Sequence, residues 1–357
     1  MTSFSSIVIL STSIGLFQSF FADWQQTNTT VYEATLKPPV SISADEMFDK
    51  TTLEAAQNRL KIRSLTSAIT LQFFVKNFRK GEALLIELKA LKPTNGIDQY
   101  FEAILDYEKG NFAAATLLLE DATSLNPQLD PAWNMLGYLY SRANHQQKAL
   151  TAFKRAIELE PYHPVYRYNY ARSLWLTGDY SNALTETKRV NELRDNMAEA
   201  YFLHGLILED LNRNTDAIHS YREAEKRGLA DNDFLVRFFK LGTKLESRSD
   251  LLRLLEKTKD TDFPDLIRMQ GQIRRNSGEY QKALLYYLKL VKRSQYVEAD
   301  LDHIGQLYCE AGQGLADVKT LGLEETANSR IRSAYENCNS TRKKGPQVRD
   351  PVLQPAL

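Results

Sequence analysis

Tyr162, Tyr166, Tyr168, Tyr170 and Trp175 crowd into one short stretch, with Arg172 among them. Tyr168 and Trp175 are seven residues apart and share a face of any helix they occupy, with Arg172 between them. Rings beside a guanidinium do recognition chemistry. Their faces attract cations, phenol and indole groups form hydrogen bonds, and both are held at small entropic cost. Such a face suits an extended segment with aromatic, apolar or acidic groups, or an amphipathic helix. The plainer reading is packing between stacked helices. Most of the cluster is read that way, with Tyr168 and Trp175 as the exceptions.

Bond-making chemistry has less footing. The five histidines, His145, His163, His204, His219 and His303, are dispersed, and there is no HExxH, GxSxG or GxxxxGK[ST] motif. Gly312-Gln313-Gly314 is too short for a phosphate loop and lacks its Lys. His204 falls on a helix face that should be buried and reads as a satisfied core histidine. Cys309 and Cys338 have no CxxC spacing, which argues against zinc. They read as two partly buried thiols; a disulfide would need an oxidising compartment. No catalytic residue, metal or cofactor is expected, and the chain reads as a non-enzyme. With 45 Lys plus Arg against 45 Asp plus Glu, nothing draws it to nucleic acid.

The elements that position these residues follow from a period. Gly81, Ala115, Ala149, Ala183 and Ala217 stand 34 residues apart, and Pro93, Pro127 and Pro161 keep the same step. A period in this range marks a row of similar units, each burying its apolar face against the next. From a capping pattern at Ser43–Glu46, or another at Thr51–Glu54, to about residue 340, apolar residues recur at helical spacing and no alternation suggests a strand. In 130–163, Trp133, Leu136, Gly137 and Tyr140 mark one helix, Asn144 and His145 a turn, and Ala149, Phe153 and Ala156 a second helix ended by Pro161.

These eight residues resemble the tetratricopeptide repeat, which has Trp, Leu-Gly and Tyr in its first helix and Ala, Phe, Ala and Pro around its second. The resemblance implies an all-α fold, an α-solenoid of stacked antiparallel helix pairs in a right-handed superhelix. It covers 43–297, most clearly 96–231 and 264–297. Stretches 62–95 and 232–263 are degenerate; Leu251 stands where a small residue is expected, and a change of superhelical path is anticipated there. In this family the first helices line a groove that binds peptides. Carried over, the groove residues are Asn134, Tyr138, Arg142, Tyr168, Asn169, Arg172, Trp175 and Phe202, with Glu209, Arg268, Gln272 and Arg275 further along. Asn134 and Tyr138 stand where relatives that grip a chaperone's terminal carboxylate have Lys and Asn, so that clamp is not expected.

Residues 298–340 read as closing helices and 341–357, with Pro346, Pro351 and Pro355, as a disordered tail. At the other end, 1–22 holds an uncharged, serine-diluted apolar run. It reads as a secretory signal, although no basic residue precedes it and bulky Phe20 sits poorly for cleavage after Ala22; an anchor or a misassigned start are the alternatives. Residues 23–42 read as a linker. The function expected is a scaffold that binds a protein or peptide partner, in assembly of an envelope or secretory complex. The alternatives are a cytosolic or organellar adaptor, or an accessory subunit of an enzyme or RNA-processing complex. Membrane contact is expected only through 1–22, and the oligomeric state is left open.

Overall fold

The computed structural model describes residues 50–245, 258, 261–315, 318 and 321–343. The expected signal or anchor, the linker, the helix start at 43–49, Leu251 and residues 344–357 lie outside the described residues. The chain divides into two compact units, Met1–Gly228 and Leu229–Leu357.

The first unit consists of paired helices: α1 (Lys50–Phe74) with α2 (Phe78–Ala90), α3 (Ile97–Glu108) with α4 (Phe112–Leu125), α5 (Asp130–Arg142) with α6 (Gln146–Leu159), α7 (Pro164–Leu176) with α8 (Tyr180–Leu193), and α9 (Ala198–Asp210) with α10 (Asn214–Lys226). The second holds α11 (Asn232–Leu245), α12 (Pro264–Asn276), α13 (Tyr280–Lys292), α14 (Glu298–Glu310) and α15 (Glu325–Lys343). Among the described residues there is no strand, and no helix is long and apolar enough to cross a membrane.

Each regular pair is made by two local rules. The first helix stops where one residue turns left-handed. Gly110 and Gly178 do so at φ 82° and 83°, and Asn144 and Asn212 take the same place at 62° and 58°. The next backbone N–H then reaches back to an orphan carbonyl, as in His145 N to Tyr140 O at 2.8 Å. The chain reverses within two or three residues, so the second helix must run antiparallel.

The second rule is size matching at the crossing. A Cβ on Gly137 would lie 2.7 Å from the Phe153 ring, and one on Gly271 2.6 Å from the Tyr287 ring. Glycine therefore makes the slot that an aromatic fills. At the same two positions, 96–129 has Ala103 and Leu119, and 164–197 has Ala171 and Thr187, all buried. As the first-helix residue grows, its counterpart shrinks, which keeps the interior close-packed. The degenerate stretch 62–95 inverts the scheme: Gly81 on the second helix faces Phe73 on the first. Where the neighbouring units have Pro127 and Pro161, 164–197 has Asp195, and Arg227 holds that residue by its carboxylate and its carbonyl.

The last pair departs from both rules. Gly312 turns left-handed at φ 69°, but among the described residues the next α-helix starts only at Glu325. Leu315, Val318, Leu321 and Leu323 instead feed the core of the second unit, and α15 begins at Glu325. Its contacts advance with those of α14. Arg330 meets Asp302, Ala334 faces Gly305, Cys338 bonds Cys309, and Arg342 reaches the Cys309 carbonyl. Partners that rise together mean parallel helices. The returning chain must climb back along α14, a helix of roughly 20 Å at 1.5 Å per residue, and the connection from 311 to 324 is long enough to do so.

Two expectations are corrected here. Cys309 and Cys338 are not thiols but a disulfide, with Cα atoms 6.3 Å apart. Helix α15 runs to Lys343, past the expected end of the closing helices at 340.

Candidate functional site

In the first unit, α5 contacts α7 and α7 contacts α9, in addition to the second helices between them. The first helices thus form a continuous face. Side chains bond across it from one repeat to the next. Tyr107 donates to the Tyr138 hydroxyl at 3.4 Å, with the rings edge-on at 5.9 Å between centroids. Asn169 Nδ2 donates to Asn134 Oδ1 at 2.9 Å. Trp175 Nε1 donates to Asp210 Oδ2 at 2.6 Å. Arg142 lies 3.9 Å over the Phe112 ring of α4.

The predicted residues divide by depth. Asn134, Tyr168 and Phe202, spaced 34 residues apart near the starts of their helices, are 0%, 6% and 7% exposed. Tyr168 packs among Ala171, Leu174, Ala183, Ala200 and Leu203, so its reading as an exception to packing is corrected. Phe202 packs against Tyr221, with ring centroids 5.6 Å apart. The buried Asn134 Nδ2 has no hydrogen-bond partner among the described residues. One turn or two further on, Tyr138, Arg172 and Trp175 are half-buried and Arg142 is exposed; Asn169, the residue after Tyr168, is half-buried. Arg172 makes no ion pair among the described residues. On α5 and α7 the accessible face therefore lies mainly in the C-terminal half, two aromatics and two arginines, with the Asn169 amide near the middle of α7.

Beneath this face, the starts of the helices are tied by a buried polar contact. Tyr166 donates to Asp130 Oδ2 at 2.6 Å, and His163 stacks on Tyr166 at 3.8 Å. Burial raises the Asp130 carboxyl to about 6, against the pull of the Tyr166 bond, and lowers His163 to about 4. His204 accepts or donates at 2.8 Å with Thr187, a bonded core histidine.

Further along, Arg268 holds Asp300 through Nε at 3.1 and 3.0 Å, Gln272 is exposed, and Arg275 clasps Glu310. Sequence reasoning missed a cleft of ≈ 940 Å³ in the second unit, lined by α12, α14, α15 and Tyr280 at the start of α13. It exists because α15 returns parallel to α14. Among the described residues no group of side chains would hold a metal ion.

Two family profiles match the chain. One is described as a tetratricopeptide repeat and covers residues 100–164; the other, described as anaphase-promoting complex (cyclosome) subunit 3, covers 142–224. The chain is 24% identical over 157 residues to anaphase-promoting complex subunit 3 of Schizosaccharomyces pombe, a match covering 43% of this chain and 21% of that protein. It is 32% identical over 80 residues to the peroxisomal targeting signal receptor of Saccharomyces cerevisiae, covering 22% of this chain and 13% of the receptor. These matches span only a small part of either relative. Among solved structures, the Pseudomonas aeruginosa pilF protein superimposes with a TM-score of 0.54 at 12% identity, over 60% of this chain and 99% of that one. That likeness concerns the fold alone.

Proposed function

This chain belongs to the tetratricopeptide repeat proteins, and from that premise we propose that it is a non-catalytic scaffold that binds a peptide or helix of a partner protein along the first-helix face of its first unit. The observation that carries the reading is the recurrence of accessible recognition side chains at the ends of successive first helices: Tyr138 and Arg142 on α5, Arg172 and Trp175 on α7. Aromatic and Arg side chains dominate binding hot spots. Bonds to neighbouring repeats hold Tyr138 and Trp175 in place before any partner arrives, which lowers the ordering cost of binding.

The Cys309–Cys338 disulfide supports a place in an oxidising compartment, and with it assembly of an envelope or secretory complex. The likeness to a subunit of the anaphase-promoting complex supports the second reading, an adaptor or accessory subunit inside a larger intracellular assembly.

Site-specific photocrosslinking in the native host tests the face. A photoreactive phenylalanine at Arg142 or Arg172 should crosslink a discrete partner. The same residue at Ile86 or Leu117, exposed on second helices, should not. Crosslinks from 86 and 117 but none from 142 and 172 would place binding elsewhere.

A further inference from the structure

In the first unit, every later first helix is packed by the second helix before it: α2 contacts α3, α4 contacts α5, α6 contacts α7 and α8 contacts α9. Among the described residues no helix precedes α1. Its core face, Leu65, Ile69 and Phe73, is buried. The opposite face carries Leu60, Ser64, Ser67, Leu71 and Val75 at three and four residue steps, and all five are exposed. Leu60, Leu71 and Val75 are 62%, 56% and 55% exposed. At successive 34-residue steps the residues equivalent to Leu71 are Leu105, Leu139, Ser173 and Ile207, all buried. Those equivalent to Ser67 include Phe101, Met135 and Leu203, also buried. Helix α1 thus presents a stacking face that no described helix covers. It also overreaches its partner, with 25 residues against 13 in α2, and residues 54–61 are exposed on every side. A lone helical end of that length is marginal in water unless something packs on it.

The face is self-complementary. An antiparallel copy turned about a two-fold axis between Leu65 and Thr66 brings Leu60 level with Leu71 of the second copy, Ser64 with its Ser67 and Ala56 with its Val75. Small serines then stand where the helices cross, with larger apolar side chains on either side. The charges agree with this register. Arg59, Lys61 and Arg63 come level with the neutral Gln72, Thr70 and Ala68, and Glu54 falls one residue from Lys76. We propose that a second copy of this chain docks on α1, antiparallel and in this register, so that each copy supplies the helix that covers the other's stacking face. Tyr138, Arg142, Arg172 and Trp175 take no part in the contact.

Analytical ultracentrifugation of the full chain should show a monomer–dimer equilibrium. Leu71→Glu should weaken the dimer about a hundredfold, because a two-fold axis counts each substitution twice. Leu117→Glu, exposed on α4, should leave it unchanged. Cysteine crosslinking reads the register. A mixture of Leu60→Cys and Leu71→Cys copies should crosslink, whereas Leu60→Cys alone should not, its two new thiols lying roughly 16 Å apart along the helices. The proposal falls if the chain stays monomeric at millimolar protein, if Leu71→Glu dimerises undiminished, or if Leu60→Cys crosslinks to itself as well as to Leu71→Cys. It also falls if hydrogen exchange finds residues 54–61 protected in a monomer, because another part of the same chain then covers the face.

Discussion

Gly137 and Gly305 are the eighth residues of α5 and α14, and each lets another segment approach too closely for a side chain. What approaches differs. Gly137 admits the Phe153 ring of an antiparallel second helix. Gly305 admits the Ile331 carbonyl and the Ala334 methyl, 2.8 Å from an added Cβ, on a parallel helix. The first-helix pattern therefore specifies a close approach, not a direction. Direction comes from the connection. A reversal of a few residues after Asn144 forces an antiparallel partner, whereas the longer path after Gly312 permits a parallel one. The regular pairs build a face of side chains over packed helices; the irregular pair opens a cleft.

The largest expected effect that would break this comparison is in the covalent tie. Cys309→Ser with Cys338→Ser releases a crosslink between residues 29 apart, and the second unit should lose about 2–4 kcal/mol. Hydrogen exchange should show faster opening of α14 and α15 and unchanged protection of α5 and α6. Equal loosening of both units would mean that the tie is not local. Next come the glycines. Gly305→Ala should cost about 3 kcal/mol, because backbone cannot move aside, and Gly137→Ala about 1 kcal/mol, because a ring can turn. Denaturant titration with probes in each unit reads the two values, and a larger loss at 137 would reverse the ranking.

The smallest effects are electrostatic, and one buried carboxyl of the regular unit and one carboxyl of the last pair shift in opposite directions. In the regular unit, burial raises Asp130 from 3.8 to about 6. The folded state then holds the proton more tightly, so this carboxyl opposes folding increasingly as pH rises between those values. His163, lowered from 6.5 to about 4, works the other way, its contribution being lost as pH falls from 6.5 toward about 4. Asp130→Asn isolates the first group. Its stability relative to wild type should improve by about 1–2 kcal/mol between about pH 4 and pH 7. A flat difference would show that Asp130 is ionised with ordinary ease. In the last pair, Arg330 holds the Asp302 carboxyl below 3.8. That contribution is present above the unfolded value and lost as pH falls through the folded one. Arg330→Gln should therefore abolish part of the acid sensitivity of the second unit.

The regular pairs were legible because the 34-residue step marks the crossing directly, and Gly137 with Phe153 can be read from spacing alone. Depth was not legible. A seven-residue spacing puts Tyr168 and Trp175 on one face, but packing between first helices covers the early turns and leaves the late ones accessible. The parallel return was also missed, since Leu301, Ile304 and Tyr308 carry an ordinary first-helix stripe. The disulfide followed from neither spacing nor composition, because two cysteines 29 residues apart meet only if their helices run side by side in the same sense.

The direction of α15 is the feature on which both the cleft and this contrast depend, and spin-label distances test it most directly. Labels at the exposed residues Ala299 and Thr326 mark the starts of α14 and α15, and labels at Ala299 and Ser340 mark a start and an end. Parallel helices place the first pair closer than the second, by roughly 15 Å from the helical rise. A shorter distance between 299 and 340 would contradict the parallel return and remove the cleft with it.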